Sequence, residues 1–317
     1  MLALVFDGQA RLKSDRPAPQ AARGEALVAV RVAGVCSTDL EVQKGYMGFS
    51  GVMGHEFVGQ VIEGPAAWKD KRVVADINCV CGRCDMCRSG LSNHCRDRTV
   101  IGIDGRDGVF AEQVAIPTAN LHEVPRAVSD EQAVFAEPLA AAYQITRQVE
   151  FQKSDVVVVL GDGRLGQLVG RVLRPRVGKL VLVGKHAFKL EIAERQGIQT
   201  APVEEYVPQA TADVVVDATG SPSGLELAMR AVRPRGIIVL KSTFAAGSGL
   251  NLSPLVVSEI MVVGSRCGPL DQALGALAAG EVDVSALISR RYPLAKADEA
   301  LRAAAESENI KVLIDVQ

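Results

Sequence analysis

The sequence predicts two domains of different class: a β-rich domain first, then an α/β domain built on a parallel, doubly wound sheet. Three observations carry this. The chain has 317 residues, which at ~100–200 residues per domain leaves room for two. Up to about residue 128, apolar residues come in short runs separated by Gly, Pro and charged residues. From about residue 153, strands that are apolar throughout alternate with helical stretches, the pattern of a parallel sheet covered on both faces.

Met1–Asp7 reads as the first strand; with no basic start and no long apolar run, it is not expected to be a secretory signal. Ala26–Ala33, Phe57–Ile62 and Lys71–Ala75 are the clearest strands that follow. Helix signals are scarce until Ser129, an N-cap with Gln132 three residues on, a capping box that opens an Ala-rich helical stretch through Ala142. Then come strand Val156–Leu160, helix Leu165–Leu173, strand Leu180–Val183, helix Ala187–Gln196 and strand Asp213–Val216. A helix opened by Ser221 with Pro222 at its first position follows, then strands Ile237–Leu240 and Ile260–Gly264. The last ~45 residues carry helices Asp271–Ala279 and Ala295–Glu306 and strand Lys311–Val316; composition alone does not say which domain they return to.

Hydrophobic residues make up 48% and charged residues 23%, which excludes a disordered or collagen-like chain. Lys+Arg number 35 and Asp+Glu 37, a formal net charge of −2, so there is no general pull toward nucleic acid or an anionic membrane. No apolar run approaches the ~20 residues of a membrane helix, and the expected compartment is the cytoplasm.

Cysteine use is uneven. Of seven, Cys79, Cys81, Cys84, Cys87 and Cys95 fall within 17 residues, while Cys36 and Cys267 stand apart. An odd, clustered set points to metal rather than disulfides. Cys81-x2-Cys84-x2-Cys87-x7-Cys95 suits one tetrahedral Zn²⁺ with every position filled, a structural site. Cys79 is a bystander unless a slip in register puts it in place of Cys81. A second set is scattered: Cys36 in Gly34-Val-Cys36-Ser-Thr38-Asp39, His55 in Gly54-His55-Glu56, and Glu137 before Pro138. One thiol, one imidazole and one carboxylate are the ligand types of an open, catalytic zinc, although each alone has an ordinary structural reading.

Gly161-Asp162-Gly163-Arg164-Leu165-Gly166 is G-x-G-x-x-G between a strand and a helix, the context of a dinucleotide site. Gly161 makes the turn, Gly163 lets the backbone approach a pyrophosphate, and Gly166 lets helix and strand pack closely. Arg164 and Leu165 open the helix whose N-terminus faces the phosphates. In an NAD site the second strand ends at a ribose-binding carboxylate. Here it ends at Gly184-Lys185-His186, with no carboxylate and two potentially cationic side chains, which favours NADP(H) over NAD(H).

With these motifs in order, and Asp217-Ala-Thr219-Gly220 before the Ser221-Pro222 helix, the sequence resembles the zinc-containing medium-chain dehydrogenase/reductase superfamily, which includes alcohol, sorbitol and threonine dehydrogenases. The resemblance covers nearly the whole chain. It implies a GroES-like β-barrel catalytic domain over residues 1–140, joined by 270–317, and a Rossmann cofactor domain over 141–269, with the active site in the cleft between them. It implies two Zn²⁺ per chain, a catalytic ion on Cys36, His55 and Glu137 and a structural one on Cys81, Cys84, Cys87 and Cys95. Glu137 stands where polyol-type members have Glu. By the same likeness Glu56 lies beside the metal and can replace water there, Thr38 passes the alcohol proton, and Asp39 orients the site. Thr219 and Lys241 join the glycine loop, Gly184, Lys185 and His186 as cofactor contacts. The implied activity is hydride transfer between a nicotinamide cofactor and an alcohol or carbonyl, and the Glu137 type suits a small polar alcohol, polyol or sugar derivative.

Two positions depart from the family. Glu41 stands where many members have a His that leads the proton to solvent. Lys241 ends a strand where a small residue is usual; its cation is placed to hold a substrate carboxylate or phosphate, or else to point to solvent or a cofactor phosphate. Two other readings stay open: a nucleotide-binding member without turnover, and a zinc-inert reductase acting on an activated double bond. Besides a small-molecule substrate, the expected partner is the chain itself, as homodimer or homotetramer through the apolar edge Ile260–Gly264. No nucleic-acid or membrane partner is expected.

Overall fold

The computed structural model describes residues 1–242 and 249–317. The chain divides into two compact units, residues 1–137 with 270–317, and residues 138–269.

The first unit is built on a seven-stranded sheet. Its main path runs Leu121–Glu123, Arg72–Ala75, Glu56–Glu63, Glu25–Gly34, Lys311–Asp315 and Ile288–Pro293, and Gln113–Pro117 also pairs with Glu25–Gly34. Smaller sheets join Ala3–Phe6 to Ala10–Lys13 and Gly51–Val52, and Thr99–Ile101 to Asn78–Cys79 and Gly105–Arg106. Glu25–Gly34 is the hub, antiparallel to Glu56–Glu63 with Gly34 opposite Glu56. Register shifts at Leu27/Val28 and Val30/Val32 mark bulges, which bend and twist the strand. This register sets Cys36, just past Gly34, beside His55 and Glu56.

The last residues belong to this unit because their apolar faces complete its core. Leu294, Ala297, Leu301 and Ile314 are buried in the same cluster as Val28, Phe57, Phe110 and Ile116. The capping box at Ser129 is present, with Ser129 Oγ accepting from Gln132 N at 3.3 Å and Gln132 Oε1 from Ser129 N at 2.9 Å. It opens only a short helix, Asp130–Ala133, before a separate helix, Ala136–Gln148.

Two elements contradict the expectation that helices are scarce in this region: the short helix Asp85–Arg88, and Ser37–Gln43, with Cys36 in the N-cap place. Asp39 at its third position accepts from Cys36 N at 2.7 Å. A cysteine N-cap lies outside the usual Ser/Thr/Asp/Asn signal, so the pattern hid the start.

The second unit is a six-stranded sheet, parallel throughout: Gln199–Pro202, Lys179–Gly184, Val156–Leu160, Ala212–Asp217, Val232–Leu240, Met261–Gly264. In chain order this is 3-2-1-4-5-6, the doubly wound Rossmann order, whose switch point lies at the end of the first strand. Val158, Leu160, Val215 and Ile238 pack with Leu225 and Ala228 of helix Pro222–Ala231 in its core. Ser221 stands at that helix's N-cap with Pro222 following, but its hydroxyl pairs with Ser223 Oγ rather than capping. No helix among the described residues is long and apolar enough to cross a membrane.

Candidate active site

Ligand atoms of Cys36, His55 and Glu56 lie within 4.8 Å of one another, with His55 and Glu56 buried. The backbone that presents His55 is clamped. Gly54 sits at φ +90, and a Cβ there would lie 2.4 Å from the Phe110 ring. Gly102 and Gly108 close on it so tightly that their Cβ atoms would come within 2.1 and 2.2 Å of Gly54 O. Only glycine fits these approaches.

Asp39 serves both first residues. One oxygen accepts from Cys36 N, and the other lies 3.2 Å from His55 Nδ1. A carboxylate on one ring nitrogen orients the imidazole and leaves the other nitrogen for a metal. Burial pulls the His55 pKa down, but the Asp39 carboxylate and the Cys36 thiol outweigh it, so the net direction is well upward. A half-buried thiol and two buried carboxylates converging on an imidazole are a donor set that fits a divalent cation.

Lys311 was missed in the sequence. It comes from the last strand, is fully buried, and its ammonium donates to Glu56 Oε2 and, at 3.4 Å, to Val35 O. Gly34 makes the approach possible, since a Cβ there would lie 2.4 Å from Lys311 Nζ. Burial brings the Lys311 pKa down to about 8, against the opposing pull of Cys36 and Asp39.

Glu137 is not one of the three converging side chains. It lies half-buried in the first turn of helix Ala136–Gln148, and the clustered carboxylate is Glu56 instead. Of the expected set Cys36, His55 and Glu137, the structure brings Cys36 and His55 together with Glu56 beside them, because sheet register carries Glu56 with its neighbour His55 to the end of Glu25–Gly34. Thr38 Oγ1 lies 3.7 Å from Cys36 Sγ. Glu41, one helical turn on, faces outward and accepts from Lys44 Nζ at 2.7 Å.

The second group that could hold a metal is Cys81, Cys84, Cys87 and Cys95, again within 4.8 Å. Cys84 Sγ lies 3.5 Å from Cys87 Sγ and 3.9 Å from Cys95 Sγ, close to the about 3.8 Å that tetrahedral zinc with ~2.3 Å bonds imposes. Amides of Cys81 and Cys84 point at the sulfurs of Cys95 and Cys81. Backbone amides of Arg96 and Cys87 bring the Cys84 thiol down to about 6. The residues fit a closed site. All seven cysteines are free of disulfides, and Cys79 lies in the apolar core.

In the glycine loop Gly161 takes φ +107 and donates to Val183 O at 2.8 Å. A Cβ on Gly166 would lie 1.8 Å from Gly161 O, whereas one on Gly163 would meet nothing within 4 Å. Gly166 is therefore needed for packing, and Gly163 leaves open backbone for a pyrophosphate to approach; the loop fits a dinucleotide. Arg164 and Leu165 begin the helix Arg164–Leu173. Thr219 turns its hydroxyl inward, donating to Asp217 Oδ1 at 2.7 Å. The Lys241 ammonium donates to Ala141 O, Ser265 Oγ and Arg266 O at 2.8, 3.3 and 3.0 Å. Gly184, Lys185 and His186 end the second strand as expected, but the absence of a carboxylate there is corrected. Asp162 Oδ2 accepts from Lys185 N and His186 N, each at 2.7 Å.

Residues 22–126 match the alcohol dehydrogenase GroES-like domain. The chain is 29% identical over 323 residues to a sorbitol dehydrogenase of Halalkalibacterium halodurans, covering 95% of this chain and 94% of that protein. A candidate zinc-binding dehydrogenase of Sinorhizobium meliloti 1021, solved bound to NADP, superposes with TM-score 0.90 at 27% identity over 99% of each chain. An alcohol dehydrogenase of Thermus sp. ATN1 superposes with TM-score 0.89 at 27% identity over 100% of each. Residues 22–126 thus form a GroES-like domain of the alcohol dehydrogenase type, and over its whole length the chain is similar to dehydrogenases of the medium-chain dehydrogenase/reductase superfamily.

Proposed function

We propose that this chain is a zinc-dependent dehydrogenase that moves hydride between a nicotinamide dinucleotide and an alcohol or carbonyl, on a small polar alcohol, polyol or sugar derivative. The observation that carries the reading is the convergence of Cys36, His55 and Glu56, steadied by Asp39 and Lys311. The likeness to a sorbitol dehydrogenase supports the substrate class. Cys36, His55 and Glu56 would hold the metal, which supplies a Lewis acid that makes a bound alcohol acidic. Thr38 Oγ1, beside Cys36, receives the alcohol proton. Glu41, one turn further and half-exposed, passes it to water. Gly163 leaves the loop open to the pyrophosphate. Lys185 and His186 argue for NADP(H) and Asp162 against it. Self-association through the edge strand Met261–Gly264 completes the reading.

The test is metal analysis of purified protein beside oxidation of polyols with NAD⁺ or NADP⁺ at 340 nm. Two zincs per chain, with Cys36→Ser losing one zinc and activity, is the expected result. Nucleotide binding without turnover of any alcohol or carbonyl would point to a non-catalytic member, and turnover indifferent to Cys36→Ser to a zinc-inert reductase.

A further inference from the structure

The turn at Gly184-Lys185-His186 is already occupied by an anion of the protein's own. Asp162, the second residue of the glycine loop, is 6% exposed. Its Oδ2 takes both backbone N–H groups of Lys185 and His186, and His186 Nδ1 lies 3.0 Å from Oδ2 and 3.2 Å from Oδ1. Residue 184 is the strand-end position from which an NAD-type carboxylate would project, and it is glycine for a steric reason. A Cβ there would lie 2.4 Å from Asp162 Cβ and 2.6 Å from Asp162 Oδ2. The space in which a carboxylate at 184 would begin is filled by the carboxylate from 162. Gln167 holds the arrangement from below, its amide donating to Lys189 O at 2.7 Å and tying the glycine-loop helix to the one that follows His186.

On the reading that a dinucleotide binds at the glycine loop, we propose that Asp162 is the specificity-determining carboxylate of the adenosine-ribose end, moved from the strand end into the loop, and that it selects NAD(H) over NADP(H). A 2′-phosphate needs free N–H donors and cations. Here two amides of the turn are taken, His186 faces a carboxylate, and only the exposed Lys185 remains, so the added phosphate charge would meet a buried like charge. A ribose 2′-hydroxyl meets an acceptor instead.

The test is titration of NADH and NADPH, followed by nucleotide fluorescence, into wild type, Asp162→Asn, and the double exchange Asp162→Gly with Gly184→Asp. Wild type is expected to bind NADH at least tenfold tighter. Asp162→Asn should shrink that ratio at least tenfold, mainly by tighter NADPH binding, and the exchange should restore it. Asp162 acting only as a turn cap would weaken both nucleotides alike, so an unmoved ratio overturns the proposal, as does a wild type that prefers NADPH. If Asp162→Asn does not fold, the wild-type ratio and the exchange variant decide. Binding of neither nucleotide would overturn the dinucleotide reading itself, a result distinct from an unmoved ratio.

Discussion

Lys311 and Glu56 lie 255 residues apart in the chain and are both fully buried. A buried ion pair contributes little over an apolar pair, but breaking one side strands a charge, at about 3–5 kcal/mol. Lys311→Met is therefore expected to lower the unfolding free energy by roughly 3–5 kcal/mol, and adding Glu56→Gln to recover most of it. Urea titration of wild type, the single variant and the double variant measures this; a double variant no more stable than the single would refute the pairing. Neither residue announced this contact, since a Lys in an apolar final strand and a Glu after His55 are each ordinary. By contrast Cys36 and His55 stood out by residue type, and Thr38 only through the family resemblance. Nothing local in the sequence ranks Glu137 against Glu56 as the ligand carboxylate.

At the level of elements, the four-cysteine loop was fully legible. Its four thiols lie within 15 residues, Cys81 to Cys95, so chain connectivity alone keeps them near one another. Cys95→Ser is expected to remove one zinc per chain and to lower the melting temperature by roughly 5–10 °C, since metal binding to such a loop is folding energy. Calorimetry beside metal analysis checks it; zinc lost without a thermal shift would show that the ion holds nothing together. A second fastening was invisible beforehand. His122, on strand Leu121–Glu123, lies 3.1 Å from Asp76 and 2.5 Å from Asp271 in the first turn of helix Leu270–Ala278. The bond to Asp76 comes first among the causes that raise its pKa to about 9, against burial. The folded state thus holds this proton more tightly than the unfolded chain. The stabilisation is complete below about pH 6.5 and disappears as pH rises through about 9. Solvent screening limits it to on the order of 1–2 kcal/mol. Denaturation midpoints measured from pH 6 to 10 should fall for wild type and stay flatter for His122→Gln; parallel curves would exclude the clasp.

For the molecule as a whole, the informative surface is apolar. Val256 and Val257 are 79% and 82% exposed and Met261 59%. They lie on helix Ser253–Val257 and on strand Met261–Gly264, which among the described residues pairs on one side only, with Val232–Leu240. An open apolar sheet edge invites a second copy. Light scattering is expected to report a dimer or tetramer, and Val257→Glu with Val262→Glu to reduce the mass while leaving zinc content unchanged. A wild-type monomer at micromolar concentration would contradict this.

Local order in the chain was enough to read the parallel sheet, the glycine loop and the four-cysteine site, because apolar period, turn glycines and ligand spacing each act over a few residues. Pairing between distant strands decided the rest. It placed the last strand beside Glu25–Gly34, brought Lys311 to Glu56, and set Glu56 with Cys36 and His55. It also laid Asp162 under the Lys185–His186 turn, where local reading had found no carboxylate. Such contacts depend on sheet register and on where glycines allow close approach, and neither leaves a trace in the spacing of residues along the chain.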